Sequence, residues 1–346
     1  MRYQIKKSLD FSFVETLFKK NFKIYFPEFK KQKIKKIIIE KESPSWAKET
    51  LLLRYRVFLD SQQIIIRGTA KTTHSKKHVF FLMNYLYWEG FNKGRYKIPK
   101  PLDYLHQENL LLYQEVEGLP LGQIIQEGNF KQIERYLKKT AGWLAKLHKK
   151  ELKKELVSQA YFLGKRKYQK MFSEIAALMP SLKEEIKSLK KNVDLDNIQK
   201  IWKKKEFTTI IHNDFYPGNI IIQEKKIYGI DFDRAGLGPF LMDLATLCAS
   251  LVFPRTIWPI YLKLKERKKF QDVFLRTYAQ KRKIKPKEIK SLFGPFLIKA
   301  FLDQLHYHFY FAKKGWRYFE QSRKKDSIEK INSLIKKIYE SSLSCL

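Results

Sequence analysis

Residues 210–247 read IIHNDFYPGNIIIQEKKIYGIDFDRAGLGPFLMDLATL, a stretch unlike its Lys-rich surroundings. Pro217-Gly218 marks a tight loop. Asn219–Gln223 and Ile227–Asp231 read as short apolar strands about a polar turn, Glu224-Lys225-Lys226. Asn219 lies six residues before Lys225 and Asp231 six after it. A hairpin centred on that turn places the two opposite each other at its open end. Asp214, five residues before Asn219, sits on the loop feeding the same end. The spacing therefore predicts two carboxylates and a carboxamide at one spot.

Oxygen ligands without His or Cys suit a hard cation, and Mg²⁺ takes one or two carboxylates together with substrate phosphates and water. Phosphoryl transfer asks for that neutralisation, for in-line positioning, and for a carboxylate to receive the proton of the attacking hydroxyl. On this reading Asp214 is the base, while Asn219 and Asp231 hold magnesium against nucleotide phosphates. HNDFYPGNI and IDFDRAGLGPFLMDLA resemble the catalytic loop and metal-binding segment of the aminoglycoside phosphotransferase and choline kinase family, small-molecule relatives of the protein kinases. The resemblance runs from about Ile34 to Leu251. It implies that Asp243 is buried and braces the catalytic loop. His212 reads as a hydrogen-bonded loop residue, because Asp214 already fills the proton-accepting role. Asp233 and Arg234 read as a local ion pair beside the site.

Working outward, IKKIIIEK, LLLRYRVFL and QQIIIRGTA read as strands, the last two joined as a hairpin by Asp60-Ser61. Residues 74–91 read as an apolar helix and NLLLYQEVEG as another buried strand ending at Gly118. Lys131–Lys149 places Ile133, Leu137, Ala141, Leu144 and Leu147 at helical spacing. Residues 160–205 and 257–343 read as mostly helical. The expected class is thus α+β. Residues 1–117 form a small antiparallel-sheet lobe, its first 33 residues a leading helical segment, and residues 118–346 a larger helical lobe. With the resemblance, this is the bilobal protein-kinase-like fold, with LLYQEVEG as hinge and Glu115 and Val116 beside the nucleotide.

The first lobe departs from the family pattern three times. The segment EKESPSWAKET has no glycine to close over phosphates. The strand-three lysine falls on Arg67, whose planar fork does not interchange with an ammonium, and Lys71 is a substitute four residues on. Ser61–Trp88 contains no Asp or Glu, so the helix after His74 offers no mid-helix carboxylate, Glu89 lying at its far end. A basic residue without that partner would be positioned by the nucleotide alone. This leaves a weakly binding pseudokinase or scaffold as an alternative. A protein kinase fits less well, since the triplet is Asp231-Phe232-Asp233 rather than Asp-Phe-Gly.

Composition narrows the remaining classes. Length 346 suggests about two compact units, and 44% apolar residues support a sizeable core. Two cysteines, Cys248 and Cys345, exclude a disulfide scaffold. No apolar run reaches the roughly 18 residues of a membrane span, and Asp10 and Glu15 interrupt any leader, so a reduced cytoplasmic protein is expected. The net charge of +35 admits a polyanion-binding module. However, only 14 of the 70 basic residues are arginines, and Lys and Ile enrichment follows from A/T-rich coding without selection for nucleic acid. Residues 254–346 carry 23 basic and 8 acidic residues, a field that favours a neutral or anionic acceptor, such as a sugar or sugar acid, over a cationic aminoglycoside. Asp303 and His306, one turn apart, are candidates to line the acceptor pocket.

Overall fold

The structure, a computed structural model, describes residues 5–43, 49–127, 129–151, 160, 164–192, 195–202, 204–252 and 264–318. The chain divides into two compact units. The first comprises Met1–Gly118 together with Gln223–Asp233, and the second holds most of the remainder. The segment carrying Asp231 and Asp233 therefore belongs with the first unit, far from it in sequence.

The first unit opens with helix α1 (Phe11–Tyr25), capped where Asp10 accepts from the Phe13 N–H at 2.8 Å. Val14, Phe18, Phe22 and Tyr25 recur on one face of α1 and are buried. They pack against the antiparallel strands β1 (Lys36–Lys41), β2 (Thr50–Phe58) and β3 (Gln63–Lys71). Alternation is strict on β2 and β3: Leu53, Tyr55, Val57, Ile64 and Ile66 enter the core, and Arg54, Arg56, Arg67 and Lys71 take the opposite face. Phe58 pairs with Gln63, which confirms the hairpin. Helix α2 (Lys77–Leu86) is shorter than residues 74–91, because a π-type turn over Tyr87–Phe91 breaks at Gly90, whose φ is +102°. Strands β4 (Tyr96–Lys97), β5 (Pro101–Leu105) and β6 (Leu110–Gln114) follow. The main sheet has the order β1-β2-β3-β6-β5.

The second unit continues with β7 (Leu119–Pro120), α3 (Leu121–Gln126) and α4 (Phe130–Leu147). Asn129 caps α4 through the Gln132 N–H at 3.0 Å, and the expected apolar stripe is buried. Helices α5 (Lys165–Leu178), α6 (Lys183–Asn192) and α7 (Leu195–Trp202) lead to β8 (Thr208–Ile211) and β9 (Ile220–Gln223). β10 (Lys226–Gly229) returns to the first unit and pairs in parallel with β4. β11 (Gly236–Pro239) pairs antiparallel with β8, placing Gly236 opposite Ile211. Helices α8 (Leu241–Val252), α9 (Leu264–Arg282) and α10 (Pro286–Tyr318) complete the description. Every described residue of α8 except Val252 is buried, in keeping with a sequence that is apolar apart from Asp243, Thr246 and Ser250. Among the described residues no helix is long and apolar enough to cross a membrane.

Candidate active site

The loop between β8 and β9 is fixed by one buried acid. Asp243, in the first turn of α8, is fully buried. Its Oδ2 accepts from the His212 N–H and its Oδ1 from the Asn213 N–H, each at 2.7 Å. The third donor is His148, whose Nε2 lies 3.0 Å from Oδ2. His148 Nδ1 lies 2.7 Å from the Tyr278 hydroxyl. A neutral imidazole with its proton on Nε2 satisfies both bonds, since Nδ1 then accepts from the phenol. Burial pushes the His148 pKa below its ordinary value, with Asp243 pulling the other way. The brace holds Asn213 in the left-handed region at φ +58°. Beneath the loop, the Trp143 ring stacks on Phe215 with centroids 5.5 Å apart, and the His212 ring lies 5.8 Å from Phe215.

This anchorage leaves Asp214 half-buried and Asn219 4% exposed. The Asn219 Nδ2 donates to the Asp214 carbonyl at 3.0 Å and reaches the Asp214 carboxylate at 3.4 Å. The Tyr216 and Asn219 N–H groups bond back within the loop to the Asp214 and Tyr216 carbonyls. With its NH₂ turned toward Asp214, the amide presents oxygen as its acceptor end. A Cβ on Gly218 would lie 2.4 Å from the Tyr216 ring, so that ring would have to move to admit one.

Asp231 lies in the first unit, exposed and at φ +63°. Such a backbone is uncommon outside glycine and is tolerated best by Asn and Asp. The turn before it is Glu224-Lys225, one residue shorter than the expected Glu224-Lys225-Lys226, because Lys226 already belongs to β10. Glu224 adopts φ +52°, which lets two residues close the turn. The expected three-residue turn is thus a two-residue one. Asn219, in the second unit, and Asp231, in the first, each carry a side-chain oxygen, the donor type that suits a hard cation. Among the described residues no three His, Cys, Asp or Glu side chains form a metal cluster.

The expectation that a basic residue in this unit lacks an acidic partner is overturned. Arg67 donates to Glu115 through Nη2 at 2.6 Å and Nε at 3.0 Å, and also pairs with Glu42. Glu115 takes Arg54 Nε on its other oxygen at 2.9 Å, bridging two arginines that face each other across β2 and β3. Glu115 is thus a structural anchor, and its own N–H is bonded to the Ile65 carbonyl at 3.0 Å. A cavity of about 290 Å³ lies beside this segment, lined by Ile65, Gln114, Glu115, Val116, Gln223 and Tyr228 among others. Lys71 and Lys76 share a different acid, Asp233: Lys71 Nζ lies 2.8 Å from Oδ2 and Lys76 bonds Oδ1. Asp233 is therefore the counter-ion of two lysines rather than half of an Asp233–Arg234 pair. Burial alone would raise its pKa, but Lys76 and Lys71 hold it at about 2. The partners were missed because they come from outside Ser61–Trp88: one follows β6, one precedes β2, and one lies some 160 residues on.

Asp303 accepts from Lys299 Nζ at 2.6 Å and from the Tyr168 hydroxyl, so it ties α10 to α5. His306 is half-buried, and burial lowers its pKa. Sequence reasoning also missed Trp143, His148 and Tyr278. Trp143 and His148 sit on or just after α4, whose apolar period marks a buried face and carries no sign of an aromatic or polar contact across the fold. The segment Pro44–Lys48 of the glycine-free connection lies outside the described residues.

No curated protein sequence matches the chain. Solved structures share its fold at low identity, three of them as follows. Choline kinase from Cryptosporidium parvum Iowa II is 13% identical, with 96% of each chain covered and a TM-score of 0.59. Plasmodium vivax ethanolamine kinase is 14% identical, covering 88% of this chain and 83% of that one, with a TM-score of 0.57. The aminoglycoside phosphotransferase APH(2'')-IIa with streptomycin and ATP is 17% identical, covering 92% and 97%, with a TM-score of 0.52. These likenesses establish the kinase-like fold, with its antiparallel-sheet and helical parts. The sequence profile of the phosphotransferase enzyme family matches residues 68–280, which include the whole braced loop and the Asp233 cluster. The chain therefore belongs to the phosphotransferase enzyme family.

Proposed function

We propose that the protein transfers the γ-phosphoryl group of ATP to a hydroxyl of a small molecule. Asp214 receives the hydroxyl proton as the bond to phosphorus forms and ADP leaves. Asn219 orients Asp214 through its amide, and with Asp231 supplies oxygens for magnesium. When bound, that ion neutralises the developing charge on the phosphates. The purine is assigned to the Glu115–Val116 segment. The observation that carries this reading is the Asn219–Asp214 contact inside a loop whose backbone is pinned by a fully buried Asp243. Such pinning removes reorganisation from the base's task. The family match supports phosphoryl transfer, and the neighbouring structures named for ATP, choline and ethanolamine support a nucleotide donor and a small acceptor.

The acceptor is proposed to be neutral or anionic, a sugar or sugar acid. Residues 254–346 carry a net charge of +15, a poor field for a polycation. Asp303, the acid suited to draw a cation there, is already held by Lys299 and Tyr168. The decisive experiment is a thermal-shift and ADP-release screen with Mg²⁺ and ATP across sugars, sugar acids, nucleosides, amino alcohols and amino sugars. Stabilisation by ATP and ADP release dependent on a sugar or sugar acid are expected. Amino-sugar or choline dependence would replace the acceptor class, and neither stabilisation nor release by any class would remove the function.

A further inference from the structure

Helix α2 has two faces, and the outward one is aromatic. Val79, Leu82, Met83 and Leu86 are buried, the ordinary inner stripe of a helix packed on a core. Away from them, Phe81 is 40% and Trp88 70% exposed, two helical turns apart in line. The Trp88 Nε1–H donates to the Asn84 Oδ1 at 3.2 Å, which holds the indole along that face. One turn toward the helix start, Lys77 Nζ lies 5.8 Å from the Phe81 ring centroid. A single exposed apolar side chain is ordinary. Two large aromatics in line on the outside of a helix, the indole held in place, mark a surface that meets something.

The chain beyond Trp88 says what that something is. The Ile98 N–H bonds the Phe91 carbonyl at 3.3 Å, so residues 92–97 fold back at the end of α2. This return carries Lys93, Arg95 and Lys97. The Ile227 N–H bonds the Arg95 carbonyl at 2.7 Å and Tyr228 pairs with Lys97, which brings Lys225 and Lys226 of the β9–β10 turn alongside. Lys226 and Lys97 act on each other as like charges. These side chains and Lys77 are exposed or partly so, and all belong to the first unit. The acids among them are Glu89 and Glu224, while Glu28, which acts on Tyr87, lies 4.0 Å from Lys100. The surface is therefore strongly positive around its aromatic centre.

We propose that this face of the first unit, with Phe81 and Trp88 at its centre and the Lys93–Lys97 return beside them, docks the protein on an anionic lipid surface. Tryptophan and phenylalanine take the level of the headgroups, and long basic side chains reach the phosphates around them. Lysine outnumbers arginine five to one among the basic residues named, which suits a diffuse field of headgroups better than the planar fork suits it. Two aromatics and a few charges give peripheral, reversible attachment, consistent with α2 remaining packed on its core. The inference does not rest on the reaction proposed above.

The test is co-sedimentation of the full chain with vesicles of phosphatidylcholine alone and of phosphatidylcholine and phosphatidylglycerol in equal parts. Binding to the mixed vesicles that falls as salt is added, with little binding to the neutral ones, is expected. Trp88→Ser is expected to weaken it by about 10-fold, and Lys93→Gln or Arg95→Gln by about 5-fold each. The substituted side chains are all exposed, so the fold has little stake in them. Tryptophan emission should shift to the blue when mixed vesicles are added to the wild type and not to Trp88→Ser, a change that charge attraction alone would not produce. Lys187→Gln, which removes an equal charge from α6 in the second unit, is the control and is expected to bind as wild type. A loss in Lys187→Gln as large as in Arg95→Gln, or unchanged binding by Trp88→Ser, would show that net charge rather than this face carries the binding, and overturns the assignment. Failure of the wild type to bind mixed vesicles overturns it too. A complex with poly(U) lost in Trp88→Ser would then give the face to single-stranded nucleic acid, and a dimer dissolved by Trp88→Ser would give it to a second copy of the chain.

Discussion

The loop around Asp214 and the basic cluster around Asp233 each hang on one carboxylate, yet they are made from different kinds of sequence. In the loop, Asp243 binds two consecutive backbone N–H groups and a histidine, so its partners are set by chain geometry. In the cluster, Asp233 binds two flexible ammonium groups whose positions depend on a third residue, Asn109. The first arrangement is satisfied and neutral in its donors. In the second, two cations share one acid, and Asp231 also acts on Lys76. A rigid, satisfied brace suits a group that must hold an atom in place, whereas an ion cluster on flexible side chains keeps its geometry only through the backbone that carries it.

The contrast breaks most readily at the reacting end. Asp214→Asn keeps the loop's bonds, because its backbone contacts and a side-chain oxygen remain. It is expected to slow acceptor-dependent ADP release by about 10²- to 10⁴-fold with ATP binding intact. Near-normal turnover would mean that the loop positions something other than a base. Asp243→Ala attacks the brace itself. Two backbone donors and the His148 N–H would be stranded in a dry interior, costing about 3–5 kcal/mol. Urea unfolding should show the loss as a lower midpoint, and a variant as stable as wild type would show that the brace carries no weight.

Glu115→Gln makes the matching cut in the other unit. It leaves Arg54 and Arg67 facing each other across β2 and β3 with a neutral amide between them. These side chains are about a quarter exposed, so water screens part of the repulsion, and the expected cost is about 1–2 kcal/mol. A cost equal to that of Asp243→Ala would erase the distinction between a dry brace and a wet ion network.

Acidity separates the units in a different way. His148 has a folded-state pKa below its unfolded value of about 6.5, because burial disfavours the imidazolium. Above that pH both states are neutral and nothing changes. As pH falls below about 6.5 the unfolded chain takes up a proton that the folded chain refuses, so stability declines by up to about 1.4 kcal/mol per pH unit. Asp233, held at about 2 by its lysines, works lower down, losing its contribution only as pH falls from about 4 toward 2. Chemical unfolding between pH 7.5 and 5 should therefore give a shallower slope for His148→Gln than for wild type. Identical slopes would show that His148 is not kept neutral by the fold.

How much of this was legible follows from the same contrast. The loop could be read because its parts are close in sequence and carry a fixed spacing: His212, Asp214 and Asn219, then Asp243 at the head of a largely apolar helix. The strands of the first unit were legible from alternation on Thr50–Phe58 and Gln63–Lys71. The cluster was not. Asp233 and Lys76 are 157 residues apart, and nothing in either neighbourhood marks the other. Searching one helix for a carboxylate found none, although Glu115 and Asp233 supply two from elsewhere. His148 and Tyr278 escaped for the same reason, their hydrogen bond spanning 130 residues. Local periodicity reports which face is buried, whereas a polar contact across the fold leaves no period.

The smallest effect expected is at Gly218, and it asks what sets the loop's shape. A methyl group there would lie 2.4 Å from one ring carbon of Tyr216 and 3.1 Å from its hydroxyl oxygen. Neither contact involves backbone, and Tyr216 is only half-buried, so the ring can swing to another rotamer at a cost of about 1 kcal/mol or less. The Asn219–Asp214 bond and the Asp243 brace do not pass through that ring. Gly218→Ala should accordingly keep its unfolding midpoint close to wild type and lose less than about 10-fold in turnover. If turnover instead fell as far as in Asp214→Asn while stability held, the Tyr216 ring would be the element that fixes the base. The brace would then set only the loop's anchorage.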